Sequence, residues 1–336
     1  GWEILTNLAD KIKKESVGKK YDVVVGVSGG CDSSYMLHLC KQLGLRVLAA
    51  HFDNTWNSTI AVQNIYRMIK ALDYDLYTHV CDNEEFNDIF RSCLMASIPE
   101  ADVASDIGLA TTHYIACQKY GIKYIFEGHS FRTEGIAPHG WTYMDAKYIK
   151  KIHKQFGKLK TTKTFPYLWL HKMLKWSIID GIKKIRPIYY IDYNKEEVKK
   201  MLHEKYRWEY YGGHHQENRT SYYANNYHLP KKFGIDLRLS EFSALVRSGQ
   251  MTRDEALVKI NEDFEFDKGI LDEIKKRLNI TDSEFEDIMN LPNKTYRDYK
   301  TYKQTFEKIR PLFWLMYKMN LIPKSFYIKY TRKYDR

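Results

Sequence analysis

The chain reads as an α/β protein built on a doubly wound parallel sheet of five strands, followed by a helical C-terminal region. Three observations predict this. Short apolar runs alternate with segments of helical periodicity from the N-terminus to about residue 200, the pattern of βαβ units and a parallel sheet. The run at residues 23–27, VVVGV, is apolar on both faces and leads through a Gly-rich turn straight into a helix, as a buried parallel strand does. From residue 239 onward the periodicity is helical throughout, with no convincing strand.

The elements follow in order. Residues 1–16 carry Trp2, Ile4, Leu5, Leu8 and Ile12 at helical spacing; this Lys-rich amphipathic pattern is not that of a signal peptide. After the first strand, Met36, Leu37, Leu39, Cys40 and Leu43 mark a helix, and residues 46–52 (RVLAAHF) the second strand. That pair should be joined by a right-handed crossover. Residues 58–72 read as a helix and 75–80 as the third strand. Residues 84–95 and 107–120 read as helices, and 122–126 as the fourth strand, closed by Glu127, Gly128 and His129. Residues 185–191 supply the fifth strand and 195–203 a helix. Later helices are expected over 240–247, 252–260, 268–278, 283–289 and 302–318, two of them opened by capping signals at Thr252 with Glu255 and at Thr281 or Ser283. The division expected is a sheet-bearing domain over 1–230 and a helical region over 231–336.

Composition narrows the class. A chain of 336 residues with 44% hydrophobic and 28% charged residues is globular and long enough for a sizeable core. No apolar run approaches the roughly 18 residues of a membrane span. Cys31, Cys40, Cys81, Cys93 and Cys117 are odd in number and form no C-x-x-C, which argues against a disulfide framework or a zinc site and for a reducing cytoplasm. The net charge of +11 is local: residues 147–186 hold 12 Lys or Arg and one acid, Asp180, while outside them 41 bases balance 41 acids. Such a segment points to an anionic partner: a substrate, RNA or lipid headgroups. It is expected to be a basic insertion over the active-site rim, since ligands of doubly wound sheets bind at the carboxyl ends of the strands.

The chemistry is concentrated at the first of those ends. Ser28, Gly29, Gly30, Cys31, Asp32 and Ser33 lie between strand and helix, where backbone N–H groups and a helix N-terminus converge on an anion. No Lys follows the glycines, as a Walker A loop requires, and the third Gly of a dinucleotide fingerprint is missing. S-G-G-x-D-S resembles the pyrophosphate loop (PP-loop) of the N-type ATP pyrophosphatases, whose fold is adenine nucleotide alpha-hydrolase-like and which split ATP into AMP and pyrophosphate. The resemblance implies that Val27, Ser28, Gly29, Gly30, Asp32 and Ser33 hold ATP and that Asp32 holds Mg²⁺ on its phosphates. Phe52, Asp53 and Asn54, at the end of the second strand, would contact the adenine, and Gly128, ending the fourth, would let a ligand approach closely. His129 and Arg132 offer donors to phosphate or carboxylate. In YYGGHHQEN, residues 210–218, adjacent His214 and His215 lack the spacing of a zinc pair, so donors to a polar substrate are expected there and no zinc.

Taken together, the loop, GHSFRTEG (128–135), WTYMD (141–145), YYGGHHQEN and the stretch 231–257 are similar to the N-acetyl sugar amidotransferases of lipopolysaccharide O-antigen synthesis and flagellin glycosylation. The similarity covers roughly residues 21–257. It implies conversion of an acetamido group of an acidic sugar into an acetamidino group, with ATP and Mg²⁺, through an O-adenylyl imidate. It also implies ammonia from a glutaminase and cyclase-like subunit pair. Catalytic roles would fall to Asp32, Ser33 and His129, and substrate contacts to Arg132, Glu134, Trp141, Tyr143, Lys160, Lys163, Arg186, His214, His215 and Asn218. Many relatives carry an N-terminal Cys-rich knuckle and a C-x-x-C near the third helix; Cys93 stands alone in CLMA, which leans the match toward enzymes of nonulosonic acids such as pseudaminic or legionaminic acid, with a nucleotide-activated uronic acid as the other substrate expected. A homo-oligomer is among the expected assemblies. The alternative is a tRNA-modifying PP-loop enzyme of the lysidine synthetase or thiolase type. The net charge favours it, whereas the lack of cysteine pairs and of a recognisable RNA module speaks against nucleic acid. A third class, a membrane-surface protein, is suggested by Leu312, Phe313, Leu315 and Met316 within the basic C-terminus.

Overall fold

The computed structural model describes all residues except 136, 137, 139, 140, 214, 263–265 and 334–336. Five strands, β1 (Val23–Gly26), β2 (Val47–Asp53), β3 (Asp75–Val80), β4 (Tyr124–Phe126) and β5 (Lys183–Ile185), form one parallel sheet in the order β3-β2-β1-β4-β5. The chain winds outward from β1 in one direction through β2 and β3, then returns to its other side through β4. The order therefore reverses between β1 and β4, and a ligand crevice is expected outside their carboxyl ends. β1 is buried because Val23, Val24 and Val25 meet side chains on both faces. One layer comprises α1 (Trp2–Glu15), α2 (Cys31–Gln42), α3 (Thr59–Leu72) and, later in the chain, α8 (Lys195–Tyr206), which pack with Val23, Val25 and Val47. On the other side lie α4 (Asn83–Met95) and α5 (Val103–Tyr120).

The basic stretch is ordered structure. It forms α6 (Ala146–Phe156) and α7 (Leu170–Leu174), the latter running into a π-turn at Lys175–Ile179, and then β5. Two carboxylates one turn apart on α4 hold the chain between them. Asp88 accepts from the backbone N–H of Lys158 (2.9 Å) and Leu159 (2.8 Å) and pairs with buried His153 (2.9 Å); Glu85 accepts from the backbone of Lys163, Thr164 and Phe165. Thr164 also bonds the backbone N–H of Asp82, just beyond β3, so this segment lies at the carboxyl end of that edge strand.

The C-terminal half is helical: α9 (Arg219–Tyr223), continued as a π-helix to Phe233, α10 (Arg238–Arg247), α11 (Arg253–Asn261), α12 (Lys268–Leu278), α13 (Asp282–Asn290), α14 (Lys303–Lys308), α15 (Arg310–Lys318) and α16 (Lys324–Thr331). These helices share a core with the sheet-bearing part: Ile274, Phe285, Phe313 and Tyr330 belong to one apolar cluster with Phe86, Phe90 and Tyr148. No helix among the described residues is long and apolar enough to cross a membrane.

Two expectations from sequence are corrected. The fifth strand is Lys183–Ile185, and Pro187–Tyr190 is a 3-10 turn. Pro187 has no N–H to give the ladder, and Lys184 turns inward to pair with Glu127, which hid the strand behind charge. The helix expected over 302–318 is two, divided at Ile309, because Pro311 cannot continue a preceding helix.

Candidate active site

The loop after β1 is built by close contacts. Gly29 has φ +81, and a Cβ there would stand 2.2 Å from the backbone oxygen of Ala61, so only glycine fits. The Gly29 carbonyl is held from beneath by Trp208 Nε1 (3.0 Å) and Asn64 Nδ2 (3.3 Å). Gly30 is the N-cap of α2, and a Cβ on it would lie 3.1 Å from both Ser28 Oγ and Tyr211 Oη and 3.2 Å from Glu217 Oε1. Ser33 Oγ donates to the Gly30 carbonyl (3.1 Å) and accepts from the Ser28 N–H (3.3 Å), fixing the turn. Gly128, two residues beyond β4, packs on the first turn of α2: a Cβ on it would be 3.1 Å from the Asp32 carbonyl oxygen. Val27 is buried, and its carbonyl accepts from His51 Nδ1 (2.9 Å). The two central strands thus deliver Val27, Ser28, Gly29, Gly30, Asp32, Ser33 and Gly128 to one place.

Charged groups crowd above this loop. Asp32 accepts from Tyr193 Oη and lies 3.8 Å from Lys195 Nζ. Burial raises its pKa; Lys195 works against that rise, and Glu134 adds to it. Glu217 Oε1 accepts from Ser28 Oγ (3.3 Å) and lies 3.8 Å from His215 Nδ1. Burial alone would push the Glu217 carboxyl up, but His215 holds it below its usual range. Burial would lower His215 in turn, yet Glu217 raises it to about 9. Glu217 Oε2 is buried without a hydrogen-bond partner. Tyr211 Oη accepts from the Cys31 N–H at the helix start (3.4 Å). Beside the loop, His129 Nδ1 pairs with Glu134. Beneath them, the Glu127 carboxylate, which burial would otherwise raise, is kept well below the carboxylate range by Lys184 (2.7 Å) and Arg186 (3.2 Å).

The other candidates are placed as follows. Asp53 accepts from the Thr55 N–H (2.8 Å), and Asn54 Oδ1 accepts from Asn218 Nδ2 (2.9 Å), tying the end of β2 to the segment that carries Glu217. Phe52 is buried against Phe86, Phe165 and Gly108, on the core side of the strand. Arg132 pairs with Asp192 (2.6 Å). Trp141 is half-buried, its N–H bonded to the Pro138 carbonyl (3.3 Å). Tyr143 is buried, stacked on Tyr296 and bonded to Asp145 (2.5 Å), between α6 and the C-terminal helices. Lys160 is exposed, and Lys163 is held through its backbone at the β3 end. Arg186 is engaged by Glu127, Tyr189 and Ser325. His214 lies outside the described residues. Four residues of the site were not anticipated: Tyr193, Lys195, Tyr211 and Glu217. Tyr211 and Glu217 stood within a motif already singled out. Tyr193 and Lys195 reach the loop only through the fold, from more than 150 positions away in sequence.

Chemically, the loop presents hydroxyls and the N-terminus of a twelve-residue helix, a cradle for phosphate. No cluster of three or more metal-ligating side chains occurs among the described residues; Asp32, with the hydroxyls of Ser28 and Ser33, offers the oxygen chemistry a hard divalent cation shared with phosphate would take. The S-G-G-x-D-S loop thus stands between β1 and α2, at the point where the order of the doubly wound sheet reverses.

Comparison with known proteins bears on the particular family. A family model described as LPS biosynthesis protein WbpG-like, C-terminal domain, matches residues 217–311. The match begins at Glu217 itself. A curated relative, the probable mitochondrial tRNA-specific 2-thiouridylase 1 of Caenorhabditis elegans, is 27% identical over 129 residues, 33% of this chain and 34% of that protein. The chain thus spans about a third of that relative's length. Two solved structures align loosely: NMN synthetase from Francisella tularensis (14% identity, TM-score 0.32, 67% of this chain and 91% of the other) and NH3-dependent NAD synthetase from Campylobacter jejuni (13%, 0.34, 88% and 99%).

Proposed function

We propose that the protein is an ATP-dependent amidotransferase of surface-glycan synthesis, acting in the cytoplasm on the acetamido group of an acidic N-acetylated sugar such as a nonulosonic acid. The observation that carries the reading is the S-G-G-x-D-S loop roofed by Glu217, the residue at which similarity to the WbpG-like domain begins. An amide carbonyl is a poor electrophile and its oxygen a poor leaving group. Attack of the acetamido oxygen on the α-phosphorus of ATP breaks the bond to pyrophosphate and leaves an O-adenylyl imidate. Ammonia adds at carbon, the C–O bond breaks, and AMP leaves with the former amide oxygen. A magnesium ion would neutralise charge growing on pyrophosphate, held through Asp32. The chain's own part is to orient: loop N–H groups and the α2 N-terminus receive the leaving phosphates. Glu217, ionised beside His215, would take a proton from ammonia as it adds. Lys160 and Lys163 are the free-facing candidates for the sugar carboxylate, and ammonia would come from a glutaminase-type partner or from solution.

A tRNA thiolase reading draws on the 2-thiouridylase similarity. All five cysteines are buried, however, and burial pushes their thiols upward, Cys31 and Cys81 to about 12, which makes poor sulfur carriers. The test is incubation with ATP, Mg²⁺, ammonium and a panel of N-acetylated acidic sugars, with AMP and pyrophosphate measured. Release that depends on one of the sugars supports the reading; release that depends on tRNA instead refutes it.

A further inference from the structure

Helix α15 buries Phe313 and Met316 against Phe306, Phe326 and the rest of the core, so its inward face is satisfied. Its outward face is also apolar. Leu312 is 37% exposed, Trp314 49%, Leu315 49% and Met319 56%. At 100° per residue these four and Lys318 fall within one half of the helix circumference. A surface helix normally turns charge to water there, and contiguous exposed apolar groups of this size mark an interaction surface.

The charge around this face says what covers it. Residues 308–333 contain seven bases, Lys308, Arg310, Lys318, Lys324, Lys329, Arg332 and Lys333, and no acid. Lys318 Nζ lies 5.7 Å from the Trp314 ring centre, so a cation stands at the edge of the apolar patch. A second copy of the chain would bring the same bases together across a two-fold contact, which opposes self-association. An anionic lipid surface meets both requirements, because aliphatic groups enter the acyl boundary, indole rings settle at the headgroups, and lysines meet lipid phosphates.

We propose that the outward face of α15 docks the enzyme peripherally on an anionic membrane, through Leu312, Trp314, Leu315 and Met319 with Lys318 beside Trp314. Only the surface is engaged, and nothing in the reaction above depends on it. The basic segment at residues 147–186, where Ile178 and Ile179 are also exposed, is a separate stretch of the chain, so the two can be separated experimentally by substitution.

The test is co-sedimentation of the full chain with vesicles of equal parts phosphatidylglycerol and phosphatidylcholine, and with phosphatidylcholine alone. Binding to the anionic vesicles only is expected, and removing one inserted side chain, by Leu315→Ser or Trp314→Ser, should weaken it by roughly tenfold. Lys318→Glu should weaken it in a salt-sensitive way. These residues are exposed, and thermal unfolding of each variant confirms that the fold is kept. Absence of binding to anionic vesicles overturns the proposal. So does binding that survives Leu315→Ser with Trp314→Ser but is lost in Lys151→Glu with Lys154→Glu. A dimer in solution that Leu315→Ser dissociates likewise overturns it, assigning the face to a second copy.

Discussion

The loop residues can be separated by what a small change does to each. At Gly29 the neighbour is backbone and φ is positive, so Gly29→Ala should lower the melting temperature before it says anything about ATP. At Gly30 the neighbours are side-chain oxygens and φ is ordinary. Gly30→Ala should therefore fold normally and weaken ATP binding by about tenfold, because the methyl occupies the phosphate cradle; unchanged calorimetric affinity would remove the loop from ATP binding. Asp32→Asn should keep its contact with Tyr193 while cutting sugar-dependent pyrophosphate release by roughly a hundredfold. The His215–Glu217 pair adds a pH signature. His215 is raised to about 9, so the stability it contributes is complete below the ordinary histidine range and is lost as pH rises through 9. His215 is 44% exposed and solvent screens part of this. Glu217→Gln should flatten that alkaline decline, and a histidine NMR titration should show His215 falling toward its ordinary value. The glycines and Asp32 were legible in sequence because their spacing is local. Tyr193 and Lys195 were not, since no local pattern marks a side chain whose partner is supplied by the sheet order.

Elements were legible where their signal was periodic. Four strands and most helices lie within a few residues of expectation, and the capping boxes at Thr252 and Thr281 are formed. β5 was displaced because its interior residue is Lys184, half-buried and paired with Glu127 on the neighbouring strand's end, a pairing that hydrophobic pattern cannot reveal. The joint between α5 and α9 was equally invisible. Asp102, at the start of α5, accepts from Ser105 (2.6 Å), Thr220 (2.7 Å) and Ser221. Asp102→Ala should cost about 2–4 kcal/mol in chemical denaturation, because those hydroxyls lose their acceptor. Burial raises the Asp102 carboxyl from 3.8 to about 7. An acid raised in the folded state favours folding most below its unfolded pKa, so wild-type stability should fall between about pH 4 and 7. Asp102→Asn should remove that slope, and a parallel slope in wild type and variant would contradict the assignment.

Across the whole molecule, the net charge of +11 resolves into distinct uses. Lys184 and Arg186 are spent on Glu127, and His153, Lys158 and Lys163 belong to a segment sewn to α4. Arg186→Ala should therefore destabilise by about 1–2 kcal/mol, since it strips the half-buried Glu127 carboxylate of one of its two partners. Lys160→Ala should leave stability unchanged and raise the sugar KM by about tenfold. Equal KM values with salt-dependent loss of tRNA binding would favour the RNA reading. In the proposed reaction the acetamido oxygen itself attacks ATP. The direct measurement is to supply the sugar with its acetamido oxygen replaced by oxygen-18, together with ATP, Mg²⁺ and ammonium, and to read both products by mass spectrometry. The heavy oxygen is predicted in the phosphate of AMP, with none in the amidine. Label retained in the sugar product, or found in inorganic phosphate with ADP formed instead of AMP, would rule out adenylylation of the acetamido oxygen.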